Sequence, residues 1–209
     1  MDANYRRIMH IKVKNTVANL EKHNFKATFV NTKEEALTLI KTLVPEGSYT
    51  AMGGSMTLED TGIASYIRES TDLHKDYRDA YRASFYLASA NAITENGEVY
   101  QVDGRSNRVS AILFGPEKVI LVAGWNKLTA SLEEAVERVK NIAAPVNATR
   151  LCRDTPCVKL GHCIENCFSR EEMGGCFSPE SVCNNAVIMR RQVDKDRITV
   201  IIVGEDLGY

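Results

Sequence analysis

Six cysteines crowd the last third of a chain whose first 151 residues contain none: Cys152, Cys157, Cys163, Cys167, Cys176 and Cys183. Thiolates are soft donors that suit zinc or iron–sulfur clusters, and a chain without an export signal is expected in a reducing cytoplasm, where such density favours ligation or redox work over disulfides. The N-terminal stretch MDANYRRIMHIKVKN is polar and basic, with no apolar signal core. The cysteine spacing matches neither the CxxC knuckle of zinc ribbons nor the CxxCxxC run of bacterial ferredoxins. Its segment carries Pro156, Gly161, Gly174 and Gly175 and few apolar side chains. A bound metal would supply the ordering free energy that burial does not. Structural cysteines, reduced or paired, are the alternative, and His162 is a candidate substitute ligand.

A second centre of chemistry is the run AMGGSMTLEDTGI, which sets Gly53, Gly54, Ser55 and Thr57 between an extended stretch and a helix. Glycines admit a ligand to the backbone, and N–H groups and hydroxyls there suit an anion. A tight turn with an N-cap explains the same residues. The run is neither a Walker A loop nor GxGxxG, and the chain carries no nicotinamide or flavin fingerprint. Asp103, Asn107, Arg108, Asn126, Lys127, Asn147 and Arg150 fall in polar stretches beside strand ends and are candidates for one cleft with the glycine loop. Open α/β sheets bind ligands at such ends. Glu95, beside the turn Asn96-Gly97, is the carboxylate with a catalytic alternative. No serine–histidine–acid arrangement is evident.

The elements that must position these groups alternate. Residues 4–23 read as an amphipathic helix, KATFV as a strand, and Thr32 with Glu35 as a capping box opening a second helix. YTAMGG is a strand, and a helix capped by Ser55 or Thr57 runs to about Arg68. Residues 72–82 read as polar helix and SFYLA as a strand. ITENGEVYQV reads as a hairpin with a type I′ turn. SAILF and KVILVAG read as buried strands, and Ser131 and Glu134 box a helix that Pro145 ends. RITVIIVG is the last strand. This is the pattern of a layered α/β chain with a mostly parallel sheet flanked by helices. One domain over residues 1–209 is expected, with residues 146–193 a cysteine-rich insertion before the last strand. With 26 basic against 27 acidic residues and few aromatics, nucleic acid is an unpromising partner. The apolar runs are strand-sized and too short to span a bilayer.

GGSMTLEDTGI, SANAITENGEVYQVDGRSNRVSAILFGPEKVILVAGWNK, AAPVNATRL and TPCVKLGHC together resemble the lactate-utilisation (LUD) domain family, in its small cysteine-bearing branch. The resemblance spans nearly the whole chain. It implies a three-layer fold shared with glucosamine-phosphate deaminases, ribose-5-phosphate isomerases and CoA transferases. It also implies a role in oxidising lactate to pyruvate, within iron–sulfur-containing complexes that supply protein partners and with a small organic acid as ligand. The family's glycine-serine-threonine loop falls on Gly53, Gly54, Ser55 and Thr57, and its Asp-Gly…Asn-Arg run on Asp103, Gly104, Asn107 and Arg108, with Ser106 where a glycine is usual. Cys157, Cys163, Cys167 and Cys183 match the branch pattern, implying a cysteine-ligated iron–sulfur cluster, or zinc on donor type. Glu-Asn-Gly at Glu95 is similar to the element bearing the nucleophile of CoA transferases, which implies an acyl-transfer alternative. A non-catalytic ligand-binding or scaffold subunit is the remaining one.

Overall fold

The computed structural model describes residues 2–76, 78–164 and 176–209. Its centre is a six-stranded sheet, every pair parallel, built from β1 (Lys26–Val30), β2 (Tyr49–Met52), β3 (Asp72–Leu73), β4 (Phe85–Ala88), β7 (Lys118–Gly124) and β10 (Ile198–Val203) in the order β1-β10-β7-β4-β2-β3. A sheet covered on both faces needs strands apolar at every position. KVILVAG and ITVIIV meet that demand: Val119, Leu121 and Ala123 enter one core while Ile120 and Val122 enter the other, and β10 divides in the same way.

Helices α2 (Lys33–Leu43), α3 (Met56–Asp60) and α4 (Ile63–Ser70) close one face through Ala36, Ile40, Leu58, Ile63 and Ile67, all buried. Sealing each of the larger side chains from water contributes about 1.5–3 kcal/mol. The other face is covered by α1 (Ala3–Lys22) and a second, four-stranded sheet. Its strands are β5 (Ala92–Thr94), β6 (Val99–Asp103), β8 (Leu128–Thr129) and β9 (Asn185–Met189), ordered β8-β5-β6-β9. Its outer side packs on Ala135, Val139, Ala143 and Ala144.

The helix-flanked, mostly parallel sheet is as the sequence implies, with five local corrections. SAILF lies in helix α5 (Asn107–Leu113), not in a strand. Five residues cannot distinguish the two periods, and a cap from Asp103, outside the run, decides the outcome. Asp72–Leu73 form β3 and Asp79–Arg82 a single 3-10 turn, where the sequence reads one helix; the Asp76 carboxylate accepts from the Arg78 N–H, a local bond that competes with helix. In the hairpin only Gly97 has positive φ (+88°), so the loop is Glu95–Gly97 closed by Gly97 N–H to Thr94 O, not type I′. The helix from Ser55 breaks at Gly62, φ +72°. Pro145 does not end its helix. After α6 (Leu132–Arg138) the chain takes a π turn over Val139–Ala143 and continues as α7 (Ala144–Arg150), with Pro145 in its first turn, where no N–H is needed. A short helix, α8 (Pro156–Leu160), follows. Among the described residues no helix is long and apolar enough to cross a membrane.

Candidate functional site

Three neighbouring strands of the large sheet, β2, β4 and β7, end side by side. The chain leaving them supplies Gly53–Ser55, Ser89–Asn91 and Trp125–Lys127. Opposite stand Val102, Asp103 and Gly104 at the end of β6, with Asn147 and Arg150 of α7 and residues 179–182. Between them lies a cavity of about 670 Å³.

Its floor is a polar network around Lys127, which is 2% exposed. The Nζ atom donates to Thr57 Oγ1 at 2.8 Å and to Ser89 Oγ at 2.9 Å. Ser89 Oγ lies 3.2 Å from Thr57 Oγ1, and Thr57 in turn donates to the carbonyl of Leu207. Burial brings the lysine down from 10.5 to about 7, and the nearby guanidiniums of Arg138 and Arg108 push the same way against a weaker pull from Asp60. A neutral amine that gives both hydrogens to hydroxyls retains its lone pair.

Arg108 spans the two sheets. It donates to Ser89 O, to Asn91 Oδ1 and to Val102 O at 2.7–3.0 Å. Gly53 is required beneath it: a Cβ there would lie 3.0 Å from Arg108 Cδ and 3.1 Å from the Tyr86 hydroxyl. Burial pushes the Tyr86 phenol up to about 12, which keeps it protonated. Asp103 organises rather than reacts. Its carboxylate accepts from the backbone N–H groups of Arg105, Arg108 and Val109, capping α5 from outside. Ser106, at the helix N-cap, is left-handed (φ +63°) and makes no side-chain cap. A glycine would adopt that conformation at less cost. Arg138 donates to the carbonyls of Asn91 and Asn126, and burial lowers it to about 10, so it stays cationic at neutral pH.

Of the sequence-derived candidates, Gly54, Ser55, Asp103, Asn107, Arg108, Lys127, Asn147 and Arg150 line this one cavity, while Gly53 and Thr57 support it from behind. Arg108 and Lys127 therefore face the same space. Asn126 does not line it; its amide holds Leu207 and Gly208, the tail that brings Tyr209 to the cavity wall. The Tyr209 hydroxyl is buried without a hydrogen-bond partner among the described residues. Glu95 does not line the cavity either. Its carboxylate sits 2.7 Å from Lys12 Nζ of α1, and its carbonyl accepts from Asn19. Sequence reasoning passed over Ser89, Asn91 and Arg138. The first two stand directly after β4, so the strand-end rule that selected Lys127 would have found them.

Cys152 and Cys183 each stand between two residues that line the same cavity. The π turn bonds Ala144 N–H to Val139 O, and Pro145 has no N–H, which leaves Lys140 O to accept from Cys163 N–H at 3.0 Å. Cys157 Sγ is 3.2 Å from Thr155 Oγ1 and Cys183 Sγ 3.6 Å from Ser181 Oγ. Burial raises the Cys183 thiol, the Ser181 hydroxyl opposes that, and the thiols of Cys163, Cys176 and Cys157 add to it. Cys157, Cys163 and Cys176 are thus within electrostatic reach of Cys183, while Cys152 is exposed and Cys167 lies outside the described residues. Among the described residues, no three His, Cys, Asp or Glu side chains are grouped to hold a metal ion.

Fold and cavity define an α/β protein with a cavity lined by cationic side chains at the carboxyl ends of a parallel sheet. The LUD-domain family model matches residues 13–203, and the chain belongs to that family, which is associated with lactate utilisation. Among solved structures, a DUF162 family protein from Deinococcus radiodurans superposes with a TM-score of 0.51 at 12% identity, covering 95% of this chain and 98% of that one. At that identity the likeness speaks for the fold. No curated protein matches the chain.

Proposed function

We propose that the cavity binds a small organic acid of the 2-hydroxy or 2-oxo kind, and that the chain serves lactate-type acid utilisation. The observation that carries this reading is the imbalance of charge around the cavity. Arg108, Arg105, Arg150 and Arg153 line it beside the amine of Lys127, whereas the two side-chain carboxylates among its lining residues, Asp103 and Glu180, are already engaged by backbone N–H groups. A carboxylate entering this space meets cations and hydrogen-bond donors with little repulsion. Family membership supports the choice of acid over phosphate. Acyl transfer through Glu95 has less support, because that carboxylate is ion-paired with Lys12 away from the cavity. The cysteine segment is proposed as a metal- or cluster-holding loop serving protein partners in such a complex. The electrostatic reach of Cys157, Cys163 and Cys176 to Cys183 supports it. Iron, sulfide and zinc analysis of protein purified without oxygen tests that part.

Thermal shift and calorimetry with lactate, pyruvate, phosphate and the uncharged lactamide test the cavity. Lactate or pyruvate should raise Tm and bind, lactamide should not, and Arg150→Ala should weaken binding about tenfold, the loss of one charge-assisted contact. If none of the anions shifts Tm or binds to the folded protein, the reading is wrong.

A further inference from the structure

A lysine buried for structural reasons ordinarily meets a carboxylate. Lys127 does not: among the described residues its amine touches two hydroxyls, and the charges that act on it most strongly are the guanidiniums of Arg138 and Arg108, with a weaker opposing pull from Asp60. It also lines the cavity rather than lying sealed behind it. An amine kept from its proton by burial and by neighbouring cations is a nucleophile, and the electrophile it suits is a carbonyl carbon.

We propose that Lys127 condenses with the carbonyl of a 2-oxo acid held in the cavity, forming an imine; this rests on the reading of the cavity as an organic-acid site. The lone pair of Nζ attacks the carbonyl carbon, a C–N bond forms, and the π pair passes to oxygen, which takes up the proton the nitrogen sheds. The resulting hydroxyl then leaves with a second proton as water while the C=N bond forms. Amine and ketone give imine and water, and nothing is oxidised or reduced. Ser89 and Thr57, whose hydroxyls already contact Nζ, are placed to pass the two protons. The Arg108 guanidinium, which discourages a charged amine and lines the cavity, also attracts the carboxylate of the incoming acid. The same pocket therefore selects both ends of an oxo acid, whereas a hydroxy acid such as lactate binds without bonding.

Pyruvate with sodium cyanoborohydride at neutral pH, followed by intact-mass measurement and peptide mapping, tests this. A single adduct equal to the mass of pyruvic acid less one oxygen atom is expected on Lys127. It should form more than about tenfold faster than on exposed lysines, because more of the amine is unprotonated. Lactate should slow labelling by competition and leave no adduct. Lys127→Arg should abolish labelling at that site. Ser89→Ala, which keeps the lysine, should slow it severalfold, a check that survives any folding defect in the arginine variant. If pyruvate binds by calorimetry yet Lys127 stays unmodified, or is modified no faster than surface lysines, the imine is refuted and the acid-binding reading stands. If neither pyruvate nor lactate binds, both fall.

Discussion

An amine in water holds its proton to 10.5, and at Lys127 burial beside Arg138 and Arg108 brings that to about 7. The sign of the consequence for stability follows from linkage. Between about 7 and 10.5 the unfolded chain carries the proton and the folded one does not, so unfolding takes up a proton and stability rises with pH across that window. Below it the full cost remains, on the order of 4–5 kcal/mol for a shift of this size. Lys127→Met has no proton to lose and leaves Ser89 and Thr57 to bond each other, already 3.2 Å apart. The variant should therefore be more stable than the parent near neutrality, and its advantage should shrink by about 3 kcal/mol between pH 7 and 9.5 in urea titrations. Taking the difference between the two proteins cancels every other titrating group. A difference that does not change with pH would mean that Lys127 titrates like a surface lysine. The residue itself was legible as a candidate from its place after KVILVAG, but its depressed proton affinity was not. That depends on Thr57, Ser89, Arg108 and Arg138, which are scattered through the sequence and meet only in the fold.

At the scale of elements, the readings that held rest on signals confined to one segment. Thr32 and Ser131 accept the N–H groups of Glu35 and Glu134 as capping boxes require, although the two glutamates reach back to Asn31 N–H and Ala130 N–H rather than to the cap residues. Two of the readings that failed turn on residues outside the segment read: α5 takes its cap from Asp103, and the helix through Pro145 survives by a π turn whose freed carbonyl is used by Cys163. That turn is a testable joint. Pro145→Ala restores an N–H, and with it the ordinary helical ladder in which Ala144 N–H returns to Lys140 O. The Cys163 amide then loses its acceptor. One such bond is worth about 1 kcal/mol, so hydrogen exchange at Cys163 should quicken roughly fivefold while the rest of the chain is unaffected. Unchanged protection there would mean that the cysteine segment is held at that point by other contacts.

For the molecule as a whole, the sequence shows the parallel sheet through runs apolar at every position, but it does not show the second sheet, whose edge strand β9 lies far beyond β6 in sequence and whose strand β8 has only two residues. Nor does it show how the two sheets are joined at the cavity floor, where Arg108 donates both to Ser89 beyond β4 and to Val102 on β6, and Gln101 of β6 donates to the same Ser89 carbonyl. Lysine cannot reproduce a planar fork serving three acceptors. Ser89 O keeps its bond from Gln101 and Asn91 Oδ1 its bond from Val102 N–H, so Arg108→Lys should deprive chiefly the Val102 carbonyl of its donor and cost about 1–3 kcal/mol, with weaker binding of lactate or pyruvate. Gly53→Ala acts on the same joint from below, by crowding Arg108 Cδ and the Tyr86 hydroxyl, and should cost less, about 1–2 kcal/mol, because a flexible side chain can give way. Glu95→Gln provides the contrast. It breaks only the pair with Lys12, in which the two side chains are 41% and 27% exposed on the lysine and glutamate sides, so solvent screens most of the attraction. The expected cost is under about 1 kcal/mol, with no change in ligand affinity. Chemical denaturation together with calorimetry on the three variants separates the cases. If Glu95→Gln weakens acid binding while Arg108→Lys leaves it intact, the binding site lies at the hairpin and not in the cavity between the sheets.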